Sequence, residues 1–412
     1  MSNAHFLPGD ALPDAPALAA RGPHGVGVTT RAARLADAID LERSVEGGIV
    51  RGARMLPLEV WYPAEENHQT RCHYSDRLGR VADDPDRPNT AFEFAGRAAR
   101  DAAALDGRYP LVVVAHGYPG SRVLLSYLCE HLASTGHVVA AIDHVGSVHG
   151  AVRSFAETLL HRPTDILGTV DAMAGMDRED ALLGGRIDAD RTVLVGYSMG
   201  GYGALNAAGA ALCSTFVDNA RAVPNRLLAH RAQGAFEVDP RVRAVVAFAP
   251  WGGRHRVWDV DGLRGLKVPT LFVAGEDDDV VGWKPGVHSL FAGTSAAERF
   301  LLVYEQARHN VAPNPPPDAA ASHPMDWGHY AEPIWDLRRL NNTNQHFVRA
   351  FIDYALGPRD RLPDALNLTP LAADGEIGLD AQGAATAGTG HWWGFAPRTA
   401  LGMQFHRLRE GH

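Results

Sequence analysis

Lysine is nearly absent from this 412-residue chain: only Lys267 and Lys284 occur, and arginine carries almost all of the positive charge. Lys+Arg number 39 against Asp+Glu 48, a formal net charge of −9. A basic face of the kind that grips a nucleic-acid backbone is therefore not expected. Cysteine is scarce as well. Cys72, Cys129 and Cys213 make an odd count without metal-type spacing, which argues against a disulfide scaffold in so long a chain. No apolar run reaches the roughly 18 residues of a membrane helix. Met1 to Thr30 show no basic stretch leading into an apolar core. The expectation is a soluble, cytoplasmic protein without a membrane span.

What remains is ordinary globular composition, 46% hydrophobic and 21% charged, at a length where one α/β domain with insertions is common. Residues 1–45 are rich in Ala, Pro, Gly and Asp and are expected as an extended N-terminal arm. Met55 to Ala64 read as a strand stopped by Pro63, and 65–108 as a polar surface excursion with a short helix near Ala91–Ala104. Apolar runs at Tyr109–Ala115, His137–Asp143, Val193–Tyr197, Val242–Ala249, Pro269–Ala274 and Phe300–Tyr304 fit strands covered on both faces. Helical patterns lie between them, at 163–183 among others, and a strong amphipathic one follows at Gln345–Leu356. This alternation predicts a mostly parallel sheet with helices on both faces. The core domain is expected over 46–356, with possible lid elements at 214–240 and 310–340 and a C-terminal tail, 357–412, packed on the same domain.

The stretch that organises the rest is Val193-Leu194-Val195-Gly196-Tyr197-Ser198-Met199-Gly200-Gly201. An apolar run ends in G-x-S-x-G and passes at once into a small-residue helix, the setting of a nucleophile elbow. A serine hydroxyl is a poor nucleophile until a base takes its proton and an acid orients that base. Both partners should follow later strands. Leu271–Gly275 runs into Glu276-Asp277-Asp278-Asp279-Val280-Val281, and Leu301–Tyr304 leads to His309. The order Ser198, acid, His309 is that of an α/β-hydrolase. Asp277, Asp278 and Asp279 compete as orienting acid. Asp278 is favoured because it stands third after Gly275, just before the apolar pair that turns the chain back to the core.

A tetrahedral intermediate needs hydrogen-bond donors at its oxygen. The backbone N–H groups of Met199 and of Tyr118, in His116-Gly117-Tyr118-Pro119-Gly120 after the first central strand, are the candidates. Tyr118, Tyr197, Trp251 and Trp283 fall at strand ends and are expected to line an apolar substrate pocket. His144 and His149 lack a third ligand at helical spacing, so no metal site is expected.

With these residues placed, the chain resembles the α/β-hydrolase serine esterases grouped with platelet-activating-factor acetylhydrolases and the predicted dienelactone hydrolases. The resemblance spans roughly 50–356. It rests on Leu58-Glu59-Val60-Trp61-Tyr62-Pro63-Ala64, His116-Gly117-Tyr118, Arg162-Pro163-Thr164-Asp165-Ile166, the Gly196–Gly201 elbow, Gly275 to Val281, and His309. It implies cofactor-free cleavage of a carboxylic ester by water. True dienelactone hydrolases carry cysteine at the nucleophile, where this chain has Ser198. The functional expectation is a carboxylesterase acting on a small or medium ester, aromatic esters included, through an acyl-enzyme. Acyl transfer or amide hydrolysis on the same triad is the enzymatic alternative, and a catalytically silent binding protein the other.

Overall fold

The structure is a computed structural model and describes residues 6–44, 48–66, 71–79, 87–220 and 223–412. The strands of its first half are β1 (Gly25–Ile39), β2 (Arg51–Ala64), β3 (His73–Leu78), β4 (Thr90–Ala95), β5 (Ala99–Arg100), β6 (Tyr109–Ala115) and β7 (Val138–Ile142). Those of its second half are β8 (Ile187–Tyr197), β9 (Val242–Phe248), β10 (Thr270–Gly275), β11 (Arg299–Tyr304), β12 (Ile377–Leu379), β13 (Ala385–Ala387) and β14 (Met403–Leu408). Three helices bear on the site: α1 (Ser126–Ser134), α2 (Phe155–Glu179) and α3 (Met199–Ala207).

Ten of the strands form one sheet in the order β14-β11-β10-β9-β8-β6-β7-β2-β1-β5. The middle six, β7 to β11 by way of β6, run parallel. Antiparallel β2 and β1 extend one side, and antiparallel β14 closes the other. Every residue of β7, β10 and β11 is buried, which is why these runs read as unbroken apolar segments rather than alternating ones. The strand order reverses beside β6: the chain goes to β7 on one side and returns to β8 on the other. The crevice outside the carboxyl ends of the strands at such a switch point is where open α/β sheets bind ligands. Here those ends carry His116-Gly117-Tyr118 and Ser198.

Several expected elements differ from what forms. Ala91–Ala104 is not helical. Thr-Ala-Phe-Glu-Phe-Ala alternates, and as β4 it pairs with β3, with Phe92 and Phe94 turned onto the core. The N-terminal arm is extended, but Gly25–Ile39 is the long strand β1, registered against β2 over almost its whole length. Its alternation is masked by alanine, threonine and arginine, with Val26, Val28 and Ala33 inward. Helix α2 begins at Phe155, earlier than expected. The Ser154 side chain accepts the Glu157 N–H at 3.3 Å, a capping-box spacing present in the sequence. Pro163 lies inside α2 and lacks an N–H, which frees the Leu159 carbonyl to accept the Tyr202 hydroxyl at 2.9 Å. That bond ties α2 to α3.

The described residues of the two segments expected as possible lid elements contact the domain. From 214–240, the buried Arg231 donates Nε–H to the Asn206 carbonyl oxygen of the side chain at 2.6 Å, at the end of α3. The 310–340 segment meets the loop around His309, as described below. The tail returns to the sheet as β14, and Trp392, Phe395 and Phe405 pack on Phe347 of the Leu337–Leu356 helix.

Candidate active site

Ser198 sits between β8 and α3 with φ 53° and ψ −112°, a conformation that side-chain-bearing residues rarely adopt. Its neighbours explain how the turn is possible. A Cβ on Gly196 would lie 2.2 Å from the Gly200 carbonyl oxygen, and one on Gly200 would lie 2.0 Å from that of Ala115. Only glycine fits at either position. The Ser198 N–H donates to the Phe248 carbonyl at 2.9 Å, and the Ser198 carbonyl accepts from Tyr202 and Trp251 at 3.1 and 3.0 Å. The strained residue is thus held by β9, α3 and the loop after β9.

His309 Nε2 lies 3.0 Å from Ser198 Oγ, and its Nδ1 lies 2.8 Å from Asp278 Oδ2. All three residues are buried. The other carboxylate oxygen of Asp278 accepts the N–H groups of Val280 and Val281, each at 2.9 Å. Both oxygens are therefore engaged and the carboxylate has one orientation. Of its two neighbours, Asp277 is exposed, and Asp279 pairs outward with Arg308, which pulls the Asp279 carboxyl below its usual value. An imidazole that donates Nδ1–H to Asp278 presents its Nε2 lone pair to the serine hydroxyl. The arrangement can take a proton from Ser198.

The loop after β6 lies against this group. A Cβ on Gly117 would be 3.6 Å from Ser198 Cβ. The Tyr118 ring meets Phe155 edge-on at 5.4 Å, and Phe155 meets Trp251 edge-on at 5.4 Å. An aromatic row thus runs from the β6 loop to the β9 loop. Tyr197 packs on the His309 ring at 5.3 Å, with its hydroxyl 3.2 Å from Asn310 Oδ1. Trp283 packs edge-on against His288, outside the row. His144 and His149 have separate partners: His144 Nδ1 meets Asp165, and His149 Nδ1 meets the Gly79 carbonyl. Among the described residues no group of three or more His, Cys, Asp or Glu side chains is placed to hold a metal ion.

Sequence reading missed two contributors. Phe155 opens α2, ahead of the 163–183 helical pattern. Glu332 lies in a Pro-rich stretch without periodicity, yet its carboxylate accepts the Arg308 and Asn310 N–H groups, each at 2.7 Å. Nothing local in the sequence marks it.

Comparison with known proteins bears on this geometry. The family model described as platelet-activating factor acetylhydrolase, isoform II, matches residues 97–159, a stretch that holds the His116-Gly117-Tyr118 loop and ends before Ser198. Cutinase 1 of Thermobifida cellulosilytica is 25% identical over 260 residues, 62% of this chain and 76% of that protein. A bis(hydroxyethyl) terephthalate hydrolase of Streptomyces coelicolor is 24% identical over 227 residues, 54% of this chain and 57% of that protein. The solved ferulic acid esterase from Streptomyces cinnamoneus superposes with a TM-score of 0.54 at 18% identity. That match covers 86% of this chain and 96% of the other. The fold is that of an α/β-hydrolase, and these matches indicate a carboxylic ester hydrolase, an esterase. As an esterase it cleaves carboxylic ester bonds. Among its described residues, no helix of the esterase is long and apolar enough to cross a membrane.

Proposed function

We propose that the esterase works through an acyl-enzyme on Ser198, with His309 as general base and acid and Asp278 as the group that orients the imidazole. The observation that carries this reading is the continuous chain of hydrogen bonds, 3.0 Å from Ser198 to His309 and 2.8 Å from His309 to Asp278, converging on a strained serine at a strand–helix turn. Ser198 Oγ attacks the ester carbonyl while its proton passes to His309 Nε2. The carbonyl oxygen becomes an oxyanion, which the N–H groups of Tyr118 and Met199 stabilise. Collapse of this intermediate expels the alcohol, which takes the proton from His309. Water then repeats the sequence on the acyl-enzyme, releasing the acid and restoring the serine. Every proton is handled by His309, so the cycle needs no cofactor.

The substrate this reading favours is a small or medium ester with an aromatic portion. Tyr118, Phe155 and Trp251 form a row of rings packed edge-on on one another, an aromatic surface on which a further ring can pack. Relatives named for terephthalate and ferulic acid esters are consistent with that chemistry. The test is turnover of p-nitrophenyl acetate. Ser198→Ala should lose on the order of 10⁴-fold or more in kcat and its labelling by a fluorophosphonate. Near-full activity in Ser198→Ala would overturn the proposal. Hydrolysis should also exceed transfer when an alcohol or amine acceptor is added, which separates esterase action from acyl transfer.

A further inference from the structure

The Arg162-Pro163-Thr164-Asp165-Ile166 stretch has no part in the cycle above, yet α2 carries it to the back of the β6 loop. Arg162 is 1% exposed. Its guanidinium donates to the His116 carbonyl, to the Gly117 carbonyl at 2.7 Å and to Ser147 Oγ at 2.8 Å. Among the described residues no carboxylate hydrogen-bonds to its fork. Asp165, one turn along α2, is taken up by Arg54 at 2.7 and 3.0 Å and by His144 Nδ1 at 2.9 Å. Burial pulls Arg162 down to about 9, which leaves it cationic at neutral pH.

Burying a cation against neutral carbonyls is costly, and an apolar side chain of similar volume would fill the space more cheaply. The geometry points to what the cation accomplishes. The Gly117 carbonyl and the Tyr118 N–H belong to one planar trans peptide, in which C=O and N–H point in opposite directions. The cis bond of this loop is the next one, Tyr118-Pro119. A guanidinium holding the Gly117 oxygen therefore turns the Tyr118 N–H away from α2, and Gly117 itself lies against the serine turn, where a Cβ would be 3.2 Å from the Tyr197 ring and 3.6 Å from Ser198 Cβ. His116 adds a second hold on the same oxygen from Nδ1 at 2.8 Å, while its Nε2 accepts the His144 N–H at 3.2 Å. A cation at the carbonyl end also polarises the peptide and makes its N–H a stronger donor.

We infer that Arg162 is a positioning residue for catalysis: by gripping the His116 and Gly117 carbonyls it aims the Tyr118 N–H at the oxyanion. This rests on the proposed cycle at Ser198.

The experiment compares wild type with Arg162→Lys, Arg162→Met and Ser147→Ala, measuring kcat, KM and inhibition by phenylboronic acid, which forms a tetrahedral anionic adduct on a nucleophilic serine. Arg162→Met should lower kcat about 10²–10³-fold, the loss typical of an oxyanion donor. KM should stay within about threefold, because the interaction is made in the transition state. The boronate inhibition constant should rise in proportion to the loss of kcat/KM across the series, with Ser147→Ala mildest. A purely structural role would lower melting temperature and the active fraction, with the boronate constant of the surviving enzyme unchanged; that result overturns the inference. If Arg162→Met does not fold, the same comparison on Arg162→Lys and Ser147→Ala decides it. Undiminished activity in Ser198→Ala would instead refute the cycle on which the inference stands.

Discussion

Glu332 holds Asn310 by its backbone: Oε1 accepts the Asn310 N–H at 2.7 Å while Oε2 accepts that of Arg308 at 2.7 Å. One buried carboxylate therefore fastens the peptide on both sides of His309. Asn310 adds to the hold, donating its Nδ2 to the carbonyls of Gly328 at 2.7 Å and Ala331 at 3.0 Å. These bonds tie the 310–340 segment to the His309 loop. Glu332→Gln keeps one acceptor and should lower kcat about tenfold with little change in KM. Glu332→Ala takes the acceptor from two partly buried N–H groups and should also lower the melting temperature. Steady-state kinetics and thermal unfolding on both variants check this; wild-type kcat in Glu332→Ala would contradict it.

The backbone of Ser198 stores strain that the serine side chain has to bear. At φ 53° and ψ −112° a glycine is at ease where serine is not. Ser198→Gly should therefore be inactive yet more stable by about 1 kcal/mol, seen as a raised denaturation midpoint. Ser198→Ala should show no comparable gain, because its Cβ keeps the strain.

Neighbouring acids should separate sharply. Asp278→Asn removes the acceptor that sets the His309 tautomer and should cost about 10³–10⁴-fold in kcat. Asp279→Asn breaks only the exposed pair with Arg308 and should leave kcat within about twofold of wild type. Parallel kinetics on the two variants is the check.

Acid should destabilise the fold through its buried histidines. Burial pulls His131, His329 and His346 down to about 3, and His137 and His161 down to about 4. The unfolded chain takes up these protons near pH 6.5, whereas the folded one resists them. Stability is therefore full above that value and falls as pH drops from about 6.5 towards 4. Each histidine contributes a slope of about 1.4 kcal/mol per pH unit in that window. Asp76 works the other way. Burial raises it to about 6, so the folded state gains its proton first and offsets part of the loss. The net expectation is a steep fall in melting temperature below pH 6.5. Substituting His131 by Leu should make the fall shallower.

Much of the site was legible because its chemistry is local. G-x-S-x-G after an apolar strand specifies a turn only glycines allow, and the clash distances at Gly196 and Gly200 show why. The central strands were equally legible: burial on both faces leaves no room for polar residues in β7, β10 or β11. The order of serine, acid and histidine follows from the order of those strands. Where a strand has one face in solvent and small or charged residues on both, as in β1, composition hid the alternation. In β4, six residues were too few to tell strand from helix.

The sequence alone determined the sheet's central strands and the strand ends at which Ser198 and His309 stand, because backbone sterics and two-sided burial act over a few residues. Tertiary structure decided which of three adjacent aspartates faces the imidazole, since loop direction depends on the Asp278 carboxylate capping Val280 and Val281. It also brought Glu332 to the His309 loop and Arg162 to the Gly117 carbonyl. Those contacts join residues from different elements, and no spacing along the chain encodes a distance through space.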